Sequence, residues 1–421
     1  MKNEINKDQL IKLCLIFAVA ILPFCFFKLA NYRFVYGRAI ILNILGALLL
    51  VILLVKKVKL KLRKENKLAL LFLLTLVIAT SVSLSYNIAL FGNTLRHEGL
   101  IVLSIYVLLF IVASNYSIIN KKVIMIVMVG GTIITLYAML QLLGYDFILV
   151  DLLHYKEKAT PSGFFSNQNF MGSYAVMMAT LSSAMYVFHK KKSYLVMATI
   201  NFGGLLATLT RGCWLSFGLI CLITLIQLFK DEEKRKRIWI LSICFILMFV
   251  SLNFMSNGLL LGRAQTIKDN LDITKEETAS GRVELWKTVI STLDDRLLIG
   301  TGPDTLRERI EVYNPEAADK LAIEKGKYID KAHNELLEYL VCGGLFTMII
   351  YAVMCIMIFV KLFKMRKQEE AFILFLLGFG YFTQAMFNIS TIGIAQIYWI
   401  VLGQSIYVIY RDDKKMFIES E

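Results

Sequence analysis

Twelve stretches of this 421-residue chain run for 15–25 residues with at most one charged side chain each, and no other feature restricts the fold as tightly. They cover 10–27, 39–55, 68–84, 100–114, 123–143, 170–188, 194–209, 213–229, 238–254, 336–360, 371–387 and 391–410. A helix needs roughly 20 apolar residues to cross a hydrocarbon core, with about 17–25 tolerated. Lipid offers the backbone no hydrogen-bond partner, so each run has to be a helix that satisfies its own amides. Composition agrees. Of the residues, 57% are hydrophobic and 19% are charged, whereas a soluble domain is about a quarter charged. A soluble multidomain enzyme, a disordered chain and a disulfide scaffold are excluded. The expected fold is an all-α polytopic membrane protein with about 12 transmembrane helices.

In such a chain the formal net charge of +14 points away from nucleic acid and towards orientation. With the N-terminus inside and the runs alternating, the cytoplasmic segments hold 27 of the 46 Lys and Arg and the short outer loops hold 7. One long outer loop, exempt from the rule, holds the other 12. Both termini are therefore expected in the cytoplasm. The expected organisation is transmembrane helices 1–9 over 1–261, an extracytoplasmic helical loop over 262–333 between helices 9 and 10, and helices 10–12 with a cytoplasmic tail over 334–421.

The seven cysteines sit in or beside apolar runs and form no CxxC, so neither a disulfide nor a zinc site is expected. The outer loops hold no Asp/Glu-x-Asp/Glu pair to clamp a metal–pyrophosphate, and the chain has no phosphate-binding glycine loop. No metal and no cofactor are expected.

The long loop carries 12 basic and 14 acidic residues. Within it, RVELWKTVISTLD places Val283, Trp286, Val289, Ile290 and Leu293 at helical spacing, with Ser280 as N-cap. GTGP at 300–303 marks a turn, and 315–325 reads as a short helix with Pro315 at its first position. A structured loop of this length is not needed to hold helices together. It suggests a lid or catalytic element over a membrane-facing cavity.

Candidate chemistry gathers at the outer helix ends. Arg211 has the plain reading of a snorkelling arginine and the functional reading of a cation facing an anionic substrate. Arg282 opens a helix, the wrong end of the dipole for a cation. His333 marks the mouth of a helix beside Asn334 and Glu335, and an imidazole there can take a proton from a hydroxyl. TPSGFFSNQN at 160–169 carries Asn167 and Asn169, which read as turn caps or as hydrogen-bonding groups for sugar or phosphate. Arg96 and His97 have a solvated surface as their plainer reading. His154 reads as a loop residue and His189 as part of a lysine cluster.

Taken in order, Arg211-Gly212, Gly281-Arg282 with Trp286, Gly300-Thr301-Gly302, and His333-Asn334 with Gly343-Gly344 resemble the O-antigen ligase and O-antigen polymerase-like family of bacterial membrane glycosyltransferases. The similarity runs from about Gly163 to Gly344, and the ordered set is more specific than any one motif. The resemblance implies a GT-C-type helical fold in the bacterial cytoplasmic (inner) membrane with an extracytoplasmic active site. It implies a glycan donor carried on undecaprenyl pyrophosphate and a glycan or lipid-linked acceptor, with no cofactor. Carried over by motif, Arg211 and Arg282 bind the donor pyrophosphate and His333 handles the acceptor hydroxyl. Asn167, Asn169, Asn334 and Arg96 are candidate glycan-binding residues. The implied reaction is a metal-independent, inverting transfer. Ligase and polymerase activities stay open, with protein O-oligosaccharyl transfer third. The rival from another class is a transporter or flippase for lipid-linked sugars, which would need no immobile outer cap.

The alternation of runs makes a direct prediction. Alkaline phosphatase fused after Lys192 or at the C-terminus stays inactive, whereas fusion within 272–281 is active. An active C-terminal fusion would require an odd number of crossings.

Overall fold

The computed structural model describes residues 6–26, 34–148, 160–165, 167–271, 282–293, 296–319 and 329–411. Among the described residues there is no strand. The N-terminal helix α1 (Lys7–Ile16) continues through a π turn and a 3-10 turn to Phe24, where Pro23 and an extended Cys25 end it. Then follow α2 (Phe34–Val55), α3 (Lys64–Ser81), α4 (Tyr86–Phe91), α5 (Leu100–Ala113) and α6 (Lys121–Leu142). Next come α7 (Gln168–His189), α8 (Lys192–Ala207), α9 (Arg211–Leu228) and α10 (Glu232–Met255). The loop region holds α11 (Leu259–Leu271), α12 (Arg282–Ile290), α13 (Leu306–Tyr313) and a short α14 (315–319). The chain closes with α15 (Glu335–Gly343), α16 (Leu345–Lys364), α17 (Glu369–Ala385) and α18 (Ala395–Tyr410).

Among the described residues each apolar run falls mainly on helical structure, and six helices (α2, α6, α7, α9, α10 and α16) are long and apolar enough to cross a membrane. Helix α7 is the axis of the bundle. Its apolar stretch is 94% buried, against 11% for α10 at the periphery. It packs on α6, α8, α9 and α17, while α18 packs on α5, α16 and α17. Trp399 of α18, fully buried, gathers Phe72, Tyr106, Phe110 and Tyr351 from three other helices. At the lysine-rich end, Glu65 meets Lys361 and Tyr410, Glu370 meets Arg411, and His189 Nε2 lies 2.7 Å from Glu369.

The structure departs from the sequence reading in several places. Arg38, counted among the loop residues, is buried within α2, where it donates to the carbonyls of Pro23 (3.1 Å) and Phe164 (2.6 Å). The long loop is entered through α11, which starts at Leu259, before the expected boundary at Gly262. The helix expected over 282–294 ends at Ile290, and the apolar residues of α12 and the turn after it divide. Leu285, Val289 and Leu293 turn inward, while Val283 and Ile290 are exposed. Ser280, His154 and the second half of the expected 315–325 helix lie outside the described residues.

The tenth run is two helices. Gly344 (φ +88°) separates α15 from α16, and the backbone groups released at the break are taken up by the loop. Gly302 N–H donates to Cys342 O (2.8 Å), Leu345 N–H donates to Leu297 O (2.8 Å), and the buried Arg309 Nη1 donates to Val341 O (2.5 Å). The close approach needs bare backbones on both sides. A Cβ on Gly300 would lie 2.4 Å from Cys342 O, and one on Gly344 would lie 2.2 Å from Leu298 O. The GTG and GG motifs are the two halves of one interlock. A small core of Val289, Leu306, Ile310, Ala332, Val341 and Cys342 packs beside it. Arg309 completes the tie by donating Nε and Nη2 to Thr292 O (3.1 and 2.6 Å).

Gly144 and Gly344 separate strain from contact, since both have positive φ but Gly144 has open space around its Cβ position. Gly144→Ala is expected to cost about 1 kcal/mol from strain, and Gly344→Ala at least about twice that because backbone must also move. Thermal unfolding in detergent measures both, and equal losses would contradict the interlock.

Candidate active site

The loop end of the bundle collects guanidinium groups. Helix α9 begins at Arg211 after the turn Thr208–Leu209–Thr210, in which Leu209 takes φ +54°. Such a conformation in a non-glycine residue costs on the order of 1–3 kcal/mol and persists only where its surroundings enforce it. Here Thr210 Oγ1 bonds Thr208 Oγ1 (2.6 Å), and Arg263 of α11 donates Nε to Leu209 O (2.8 Å). Arg211, Arg263 and Arg282 lie within one another's electrostatic reach, and Arg282 also acts on Cys213 in the first turn of α9. Burial, together with the charge of Arg263 and against that of Cys213, holds the Arg282 guanidinium below its ordinary value. Guanidinium groups gathered in this way can present paired donors to the oxygens of a multivalent anion.

His333 faces this group from the strap 329–334. Its backbone is left-handed (φ +51°), and its buried Nδ1 has no partner among the described residues. Burial and the positive charge of Arg282, with a smaller push from Arg96 and against the pull of Asp330, bring the imidazole down to about 4. It is therefore neutral near pH 7 and able to accept a proton.

The indole Nε1–H of Trp286 donates to Ala332 O (2.9 Å), one residue before His333, and its ring centroid lies 6.5 Å from that of Phe387 after α17. Phe387 in turn fills the space beside Gly212, where a Cβ would lie 3.0 Å from Phe387 Cβ. This chain of contacts brings Arg211, Arg282 and His333 together at the loop end, and accounts for the glycine after Arg211. Trp286 thus packs on the helical bundle through one face.

Arg96 is not a solvated surface residue. Its Nε donates to Asp330 Oδ2 (2.6 Å), and its guanidinium lies 5.3 Å from the Phe170 ring centroid. His97 has φ +55° and its ring lies 5.0 Å from that of Tyr36. Asn167 and Asn334 are helix caps. Asn167 Oδ1 accepts from Asn169 N–H (2.7 Å) and Asn334 Oδ1 from Leu337 N–H (2.9 Å). A role towards a glycan would fall to their amide nitrogens. Asn169 contributes its carbonyl, which accepts from Asn388 Nδ2 (2.7 Å) and Ser173 Oγ (3.2 Å).

Sequence reasoning missed Arg263 and the charged partners of the strap. Arg263 is the first basic residue after the ninth apolar run, which is the only signal it carries. Asp330, Lys331 and Glu338 crowd around His333 in DKAHNELLE, a density of charge unusual at the start of a membrane-associated helix.

Residues 194–352 match the family model described as O-antigen ligase. The match runs from α8 into α16 and includes Arg211, Arg263, Arg282 and His333. A curated relative, the ComP-specific O-oligosaccharyltransferase of Acinetobacter baylyi, is 24% identical over 186 residues, covering 42% of this chain and 31% of that protein. The chain thus spans less than a third of the length of that relative. Over residues 194–352 the chain is thus similar to O-antigen ligases.

The electrostatics around His333 can be read by titrating its imidazole with nitrogen NMR. The ligand-free protein is expected to titrate at about 4. Arg282→Met removes a positive neighbour and moves the midpoint up, and Asp330→Asn removes a negative one and moves it down. Shifts of the opposite sign would show that His333 faces other charges.

Proposed function

We propose that this O-antigen ligase-like chain transfers a glycan from undecaprenyl pyrophosphate to an acceptor hydroxyl, in a GT-C-type bundle of twelve spans. In this reading the loop end faces outward from the bacterial cytoplasmic membrane and both termini are cytoplasmic. The observation that carries it is the set of three guanidinium groups, Arg211, Arg263 and Arg282, beside one buried neutral imidazole. Transfer needs two things from a protein. The departing pyrophosphate gains charge, and the acceptor hydroxyl loses a proton.

Guanidinium groups meet the first need, since they present planar pairs of donors to phosphate oxygens. The hydroxyl oxygen attacks the anomeric carbon from the face opposite the pyrophosphate. The carbon–oxygen bond to phosphate breaks, its electron pair leaves with the pyrophosphate, and the hydroxyl proton passes to His333. The new glycosidic bond has inverted configuration. An imidazolium would be costly in this buried, cationic surrounding, so the anionic pyrophosphate serves as its counter-ion. Donor binding therefore comes before proton transfer.

A second reading differs only in the acceptor. The relative's name points to oligosaccharide transfer onto a protein, and a serine hydroxyl presents the same chemistry to His333. Ligase and polymerase activities are alternatives within the first reading.

The test is incubation of purified protein with a lipid-pyrophosphate-linked oligosaccharide and candidate glycan, lipid-linked and protein acceptors, with products read by mass. Wild type is expected to transfer with inversion and to keep its activity in EDTA. Losing His333 to Ala or Arg282 to Ala is expected to lower turnover by about a hundredfold or more. Because kcat/KM reports the free protein, it should stay level from neutral pH downward and fall only as the pH approaches about 4. Full activity in the His333→Ala protein would remove the base from the mechanism, and loss in EDTA would reintroduce a metal.

A further inference from the structure

The strap that carries His333 is held at three successive residues. Asp330 is bonded by Arg96 (2.6 Å). Ala332 gives its N–H to Glu338 Oε2 (2.8 Å) and receives the Trp286 indole on its carbonyl (2.9 Å). Between them Lys331 turns inward, its side chain only 5% exposed, and meets three carboxylates: Asp304 at 3.0 Å, Glu338 at 3.3 Å and Glu98 at 3.7 Å. A cavity of about 30 Å³ is lined by Lys331 together with these three carboxylate residues.

We infer that Lys331 is a positioning residue, whose ammonium, locked between Glu98, Asp304 and Glu338, holds the strap in the one register that presents His333 to Arg282. The inference rests on the reading of His333 as the base.

Each carboxylate belongs to a different part of the molecule. Glu98 stands before α5 and accepts from Tyr106 Oη (2.9 Å) and from Ser390 Oγ (2.6 Å), which lies between α17 and α18. Asp304 follows the GTG turn and accepts from Asn93 N–H (2.7 Å) and Glu98 N–H (3.3 Å). Glu338 lies in α15. One cation thus joins the α4–α5 turn, the α17–α18 turn, the loop and α15. Burial alone would lower the Lys331 ammonium, but Asp304, Glu338 and Glu98 together hold it well above its ordinary value. Without it, three like charges share a buried space and push the strap away.

The hub does not act on His333 through its field. The charges that move the imidazole are those of Arg282, Asp330 and Arg96. What Lys331 controls is the backbone, one peptide from Ala332 and two residues from a left-handed His333 that surroundings must enforce.

The test uses full-length Lys331→Met and Lys331→Met/Asp304→Asn proteins in nanodiscs. Three quantities are read: affinity for the lipid-pyrophosphate donor, kcat, and the His333 titration. Misplacing a catalytic group by about 1 Å costs roughly a hundredfold in rate. Lys331→Met is therefore expected to lose about that much in kcat while donor affinity stays at the wild-type level. The His333 midpoint should move from about 4 towards the ordinary value of about 6.5 as the strap leaves Arg282 and the protein interior. The double variant, with one repelling carboxylate neutralised, regains part of both. An unmoved His333 midpoint, or unchanged kcat, overturns the inference. So does loss of donor affinity together with kcat, which would make Lys331 a general scaffold residue. If the wild-type protein transfers nothing, the reading of the reaction fails, while the His333 titration still decides the role of Lys331.

Discussion

A membrane-associated helix broken in the middle frees backbone groups that lipid cannot satisfy, and the loop end of this protein is organised around that constraint. At Gly344 the groups of Val341, Cys342 and Leu345 find partners in Arg309, Gly302 and Leu297. Each buried polar group left unpaired would cost about 1–3 kcal/mol, so the loop and the broken helix stabilise each other. The loop is therefore fixed to the bundle at the break. Both ends of the strap that carries His333 are anchored to the same small core, through Ile329 and Ala332 on one side and Leu337 and Val341 on the other.

Two opposite electrostatic arrangements lie on either side of that strap. On one side Arg211, Arg263 and Arg282 lie within one another's electrostatic reach. On the other, Lys331 is enclosed by carboxylates and is satisfied within the protein. In the proposed reading the first serves a phosphate-bearing ligand, and the second is what a fixed scaffold requires. His333 stands at their boundary, and its downward shift follows first from its burial and then from the positive charge of Arg282.

The helices were legible in the sequence because lipid demands long uncharged runs, and the runs found that way fall mainly on helices. The break at Gly344 was not, since an apolar run looks the same whether one helix or two occupy it. Arg211 could be chosen because it stands between two apolar runs, Arg282 because it opens the amphipathic helix of the long loop, and His333 because it stands just before the tenth run. Asn167 could be read as a cap or as a ligand and is a cap, while Asn334, read only as a candidate ligand, is a cap as well. Arg96 read as a surface residue because its partner Asp330 is 234 positions away. Val283 and Ile290 fit the helical spacing of α12 but face outward, because spacing shows that a stripe exists without showing how much of it the bundle covers.

By itself the sequence determined the class of solvent the chain must fold in, the helices that this solvent forces, and an ordered set of motifs. These are local properties, dictated by the chemistry of one segment against lipid or water. The tertiary structure decided which charges would meet. It brought Arg263 to Leu209, Asp330 to Arg96 and Lys331 to Glu98, and it turned two glycine pairs into a single interlock. Those outcomes depend on distances between segments far apart in the chain, and only packing sets such distances.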